Sequence, residues 1–160
     1  MFARLGRSLL PLLLMGTVLC VADDKKPTPR DKPKPDDAKV EFQVLAIRAT
    51  TRNKDISPEL REIADALKKQ FKFTGYKLEK RSNGSAELKS TYKAPLVGTY
   101  EARLTPQKVE DKRVTIEIEI YSGEERKLKT TATLDAGKSQ LLGGYKLDGG
   151  DELIVAVSSR

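Results

Sequence analysis

Arg113-Val114-Thr115-Ile116-Glu117-Ile118-Glu119-Ile120-Tyr121 is the stretch on which the fold class turns. Val114, Ile116, Ile118 and Ile120 alternate with Thr115, Glu117, Glu119 and Tyr121, so a period of two separates an apolar face from a polar one. That pattern belongs to a strand of an antiparallel sheet with one dry and one wet face. Outward from it, residues 99–104 place Tyr100, Ala102 and Leu104 on one face, and residues 128–134 and 153–157 read as further strands. Leu141 and Leu142 form a short apolar piece between them. Residues 76–80 and 86–92 flank Ser82-Asn83-Gly84-Ser85, and Asn-Gly predicts a hairpin turn because both residues tolerate positive φ.

The first globular segment, residues 40–49, sets Val40, Phe42, Val44 and Ala46 on one side and Leu45 and Ile47 on the other. A strand that turns apolar on both sides is covered on both faces along its second half. A helix of about 12–14 residues is predicted after it, from the recurrence of Leu60, Ile63, Ala64, Leu67 and Phe71. Ser57 suits its cap, Pro58 its first turn, Glu59 the positive end of its dipole, and Lys68 and Lys69 the negative end. The expected architecture is one α+β domain over residues 39–160, with a single helix packed on a mostly antiparallel β-sheet or partial barrel.

Residues 1–22 carry the marks of a secretory signal peptide. Arg4 and Arg7 supply the basic start, residues 9–19 are apolar apart from Pro11, Gly16 and Thr17, and Cys20 and Ala22 are the small residues a signal peptidase needs. Cleavage is expected after Ala22. The uncharged run 8–22 is shorter than the roughly 18–20 apolar residues that span a bilayer, so no transmembrane helix is expected after processing. Cys20 has a second reading as the lipidated residue of a lipoprotein, against which Leu19 stands where that pattern has a small residue. Residues 23–38 hold four of the eight prolines, five basic and five acidic residues, and no apolar residue larger than Ala38. With nothing to bury, this Lys/Asp/Pro-rich segment is expected to be a disordered, extended spacer; a Pro-rich ligand for an aromatic groove is the functional alternative.

The chain has no histidine, no tryptophan and one cysteine, Cys20, which lies in the leader. These counts exclude disulfides within the processed chain, Ser-His-Asp and Cys-His nucleophiles, a histidine acid or base, and zinc held by thiolate and imidazole. Carboxylates, Lys, Ser and Tyr remain. An enzyme would need a carboxylate pair drawn from residues such as Glu117, Glu119, Asp148 and Asp151, as in glycoside cleavage, yet two glutamates at alternate strand positions are more simply a wet sheet face. Gly137-Lys138-Ser139 ends like a phosphate-binding loop, but Ala132 stands where the motif has its first glycine, so a turn is expected. Asn83-Gly84-Ser85 is formally a glycosylation acceptor at the predicted hairpin. Paired glycines bracket residues 143–152, where Asp148, Asp151 and Glu152 lack the alternating ligand spacing of a calcium loop, and a plain loop entering the last strand is expected. No metal or other cofactor is implied.

Removing the two arginines of the leader from 30 basic residues leaves 28 against 23 acidic ones, a net charge of +5. Lys68, Lys69, Lys72, Lys77, Lys80 and Arg81 cluster with Phe73 and Tyr76 among them, a candidate face for an anionic polymer, a membrane surface or nucleic acid. No nucleic-acid motif accompanies them, and charge runs commonly serve only to solvate a surface.

The layout of leader, Lys/Pro spacer, strand and helix, β-meander and closing Leu153-Ile154-Val155-Ala156-Val157 resembles short uncharacterised exported α+β proteins of bacteria. The resemblance rests on layout, covers most of the chain and carries over neither an activity nor a functional residue. The expectation is a non-catalytic binding module, secreted or periplasmic, for another envelope or secreted macromolecule, with electrostatic binding of an anionic polymer or membrane surface as the alternative and a carboxylate-dependent hydrolase as the third.

Overall fold

A computed structural model describes residues 38–160. The segment expected to be a signal peptide, residues 1–22 with Cys20, and nearly all of the expected spacer, residues 23–38, lie outside the described residues.

Strand β1 (Lys39–Thr50) is covered on both faces along its second half, as its double apolar pattern there requires, while Lys39 and Glu41 at its start are exposed. It pairs antiparallel with β2 (Gly75–Glu87) on one side and with β8 (Glu152–Ser159) on the other, and β8 pairs with β7 (Ser139–Lys146), giving a sheet ordered β2-β1-β8-β7. A second sheet is ordered β3-β4-β5-β6, from β3 (Tyr92–Pro95), β4 (Tyr100–Glu110), β5 (Arg113–Ser122) and β6 (Glu125–Asp135). Every strand pairing in both sheets is antiparallel. The domain is therefore mostly antiparallel β-structure with one short helix. The expected single sheet or partial barrel is corrected: the strands form two sheets that face each other across one core, and they do not close.

The core between the sheets takes Val40, Phe42, Val44 and Ala46 from β1 and Leu153, Val155 and Val157 from β8. Opposite them stand Ile116, Ile118 and Ile120 of β5 with Ala102 and Leu104 of β4, all of them buried. A second core lies on the far face of the first sheet, where Leu45, Ile47, Ala49, Ile154 and Ala156 meet Leu60 and Leu67. Alternation along β1 and β8 thus feeds two cores at once, which explains the unbroken apolar runs at residues 44–47 and 153–157.

Leu60 and Leu67 belong to a broken helix, not the continuous one predicted. A 3₁₀ turn spans Pro58–Leu60, and helix α1 spans only Ala64–Gln70. Ser57 makes no cap; its hydroxyl accepts the N–H of Leu78 at 3.0 Å while its own N–H donates to the Tyr76 carbonyl at 2.9 Å, tying the turn to β2. The helix end is held by Tyr76, whose buried phenol lies 3.2–3.3 Å from the carbonyls of Leu67, Phe71 and Phe73.

The predicted Asn83-Gly84 hairpin is also overturned. Both residues sit inside β2, Asn83 opposite Gln43 and Gly84 opposite Phe42, and the chain crosses to the other sheet only after Glu87. The reason is a close approach: a Cβ on Gly84 would lie 2.1 Å from Cε2 of Tyr92, whose ring stacks at 6.5 Å and 12° on Phe42. The glycine makes room for an aromatic ring, and no reversal occurs there.

Candidate functional site

All six residues of the basic cluster are exposed: Lys68 and Lys69 on α1, Lys72 just beyond it, and Lys77, Lys80 and Arg81 on β2. An irregularity in the β1–β2 register controls how the strand residues are displayed. Leu78 lies opposite Ile47 and Lys80 opposite Ala46, so Glu79 is the extra residue of a bulge. Residues opposite one another share a face, which puts Lys77 and Lys80 with Arg48 and Ala46 on one side and Arg81 with Leu45 on the side of the helix. The cluster therefore wraps the β2 edge and does not form one plane. Lys77 reaches the Glu79 carboxylate at 3.4 Å.

Beside this edge lies a polar network that the charge pattern alone does not reveal. Asp151 is 2% exposed, and its carboxylate meets Arg48 at 3.3 Å and also Arg52. Arg48 uses its Nε on Glu79 at 3.0 Å, and Arg52 directs its Nε at the Thr50 hydroxyl at 3.3 Å. The Thr50 hydroxyl, followed by the two guanidinium groups, holds the Asp151 carboxyl below the usual carboxylate range. These residues line a cleft of about 420 Å³ shared with Asn53, Asp55 and Lys77. A wider depression of about 750 Å³ lies elsewhere, at the β4–β5 and β6–β7 turns, where Arg113 pairs with Asp135 at 3.0 Å.

The sequence signal for this network is one residue in a buried run. Arg48 follows Leu45, Ala46 and Ile47 and precedes Ala49, all four buried, and a cation at such a position demands an anion close by. The anion comes from Asp151, 103 residues later, which no local spacing links to it.

The carboxylates weighed as a hydrolytic set do not converge. Glu117 and Glu119 lie on the outer face of the second sheet, where Lys129 stands 3.0 Å from Glu117 and 3.7 Å from Glu119, and Arg126 stands 3.2 Å from Glu119. Asp148 is exposed in a 3₁₀ turn, Asp148–Gly150, and Asp151 lies beneath two arginines. Among the described residues no group of three or more His, Cys, Asp or Glu is arranged to hold a metal ion. Gly137, at φ 78°, turns the chain between β6 and β7, so Gly137-Lys138-Ser139 is a strand connection.

The outer face of the second sheet also carries Arg103, whose guanidinium sits 3.9 Å over the Tyr121 ring and pairs with Glu101 at 2.7 Å. Thr105, Thr115 and Thr133 extend the face, with Thr115 and Thr133 joined through their hydroxyls at 3.3 Å. Opposite charges in neighbouring strands thus meet across a partly exposed sheet face. Searches for similarity found no family model, no curated protein and no solved structure that matches the chain. No helix among the described residues is long and apolar enough to cross a membrane.

Proposed function

We propose that this chain is an exported, non-catalytic binding domain that recognises another envelope or secreted macromolecule. The observation that carries the reading is the outer face of the β4-β5-β6 sheet. There Glu117 and Glu119, two of the carboxylates from which an acid pair could be drawn, are ion-paired to Lys129 and Arg126 on a sheet face instead of facing each other across a cleft. Carboxylates that share cations on a sheet face are poorly placed to exchange protons with a substrate, whereas a rigid mosaic of charge, hydroxyl and an Arg103-capped Tyr121 suits recognition of a complementary surface.

The test is capture from an envelope or secreted fraction with the chain as bait, beside an Arg103→Ala/Tyr121→Ala variant. One stoichiometric partner held by the parent chain and lost from the variant is the expected result. Equal capture by both would remove this face, and turnover of a polysaccharide would overturn the non-catalytic reading. Electrostatic binding of an anionic polymer or membrane surface is the second reading, favoured by the exposure of Lys68, Lys69, Lys72, Lys77, Lys80 and Arg81 on α1, just beyond it and along the β2 edge.

A further inference from the structure

The two sheets have open edges, and most of them are blunted against pairing with another strand. β2 carries the Glu79 bulge beside exposed Lys77, Lys80 and Arg81. β3 is four residues long and ends on Pro95, and beyond it the outer half of β4 carries Pro106 and a register shift before Lys108. β7 is broken between Gly143 and Tyr145, with Gly144 at φ 96°. Bulges, prolines, short strands and lysines are the devices that keep sheet edges from pairing.

β6 differs. Its irregularity is confined to Lys127, and from Leu128 to Asp135 it holds an unbroken register with β5, from Ile120 back to Arg113. Thr130-Thr131-Ala132-Thr133-Leu134 is uncharged and free of Pro and Gly, and among the described residues no strand pairs with its outer side. An edge of this kind offers a row of backbone donors and acceptors to a further strand.

We infer that the β6 edge pairs antiparallel with the β6 edge of a second copy of this chain, about a two-fold axis at Thr131. The sequence is self-complementary about that point. Leu128 meets the second copy's Leu134, Thr130 meets its Ala132, and these side chains all lie on the core-facing side in each copy, opposite Ile120, Val114, Ile118 and Ile116 of β5. Half-buried Leu128 and Ala132 thereby gain cover at the rim of the core. At the ends, Lys127 of each copy approaches Asp135 of the other. Lys129 meets Thr133 on the outer face, where its ammonium keeps its place beside Glu117. An isologous contact of this kind closes on itself and yields one eight-stranded sheet without open-ended growth. Arg103 and Tyr121, the residues by which the outer-face reading is tested, lie on β4 and β5 and not on β6, so the two tests use different residues.

Sedimentation of the chain over rising concentration tests the inference, with hydrogen exchange reporting on residues 128–135. Two chains per particle are expected at high concentration, with slower exchange along β6 as the particle forms. Thr131→Lys, at an exposed position, sets two like charges opposite each other at the axis and should weaken association about tenfold or more. Thr133→Glu faces the second copy's Lys129 and should strengthen association. A chain that stays single up to about 1 mM overturns the inference. So does a dimer indifferent to both substitutions, or β6 protection that arises only on adding a different protein.

Discussion

Gly84 and Tyr92 are close because the glycine has no side chain: the tyrosine ring lies on the bare backbone of β2, where a Cβ would fall 2.1 Å from Cε2 and 2.2 Å from Cζ. Gly84→Ala should therefore destabilise the domain by about 1–3 kcal/mol, because the ring must leave its stack on Phe42. In chemical denaturation, Gly84→Ala combined with Tyr92→Ala should cost less than the two single costs added, as expected of groups in contact. Strict additivity would mean that the two residues do not meet.

Tyr76→Phe removes one hydroxyl from a buried position ringed by three carbonyls at the end of α1. Leaving buried acceptors short of a donor should cost about 1–3 kcal/mol. Amides of Ala64–Phe73 should exchange faster in the variant than those of β5, which shares no contact with the phenol. A uniform rise across the domain would place the effect in global stability alone.

Asp151 has a folded-state carboxyl held below its ordinary value of 3.8, first by the Thr50 hydroxyl and then by Arg48 and Arg52. A depressed acid contributes stability that is present above the unfolded-state value, and it is lost as pH falls through the lower folded-state value. Melting temperature measured against pH should thus decline below about pH 4 in the parent chain. In Asp151→Asn the plateau should be lower and that part of the decline shallower. Identical acid profiles would show that this carboxylate does not govern acid stability.

The basic cluster yields a salt test. If it is a binding face, heparin-like or phosphate-rich polymers should be retained with an affinity that drops steeply as salt rises. Lys77→Glu with Lys80→Glu should weaken retention several-fold and leave stability within about 0.5 kcal/mol, because both side chains are exposed. If the charges only solvate the surface, retention should be slight at about 0.15 M salt. Retention unchanged in the double variant would remove the cluster as the site.

Export makes its own mass-spectrometric prediction. The secreted or envelope form should begin at Asp23. A diacylated N-terminus at Cys20 would instead place the protein on a membrane.

The legible parts of the sequence were those in which one period rules. β5 reads directly from Val114 to Tyr121, and the two-sided burial of β1 follows from Leu45 and Ile47 falling out of step with Phe42 and Val44. Where the sequence misled, a distant contact replaced a local preference. Ser57 and Pro58 look like the start of a long helix, yet the Ser57 hydroxyl serves Leu78, and only Ala64–Gln70 becomes α-helical. Asn83-Gly84 favours a turn locally, but Tyr92 on the neighbouring sheet occupies the space above the glycine. Arg48 signals a buried partner, and Asp151 supplies it from the opposite end of the domain.

β1 and β8 are neighbours in space and the first and last strands of the described chain, Phe42 lying opposite Ser159 and Ala49 opposite Glu152. Ribosomal synthesis delivers them in that order, so β1 exists for most of synthesis with one side unpaired and both apolar faces incomplete. A ladder joining residues more than 100 positions apart raises contact order, which makes folding slow relative to a chain of hairpins. The eight residues of β8 act as a closing strand, since Leu153, Val155 and Val157 enter one core while Ile154 and Ala156 enter the other. Until they arrive the polypeptide has no finished interior, and a truncation there removes the middle of a sheet rather than its fringe.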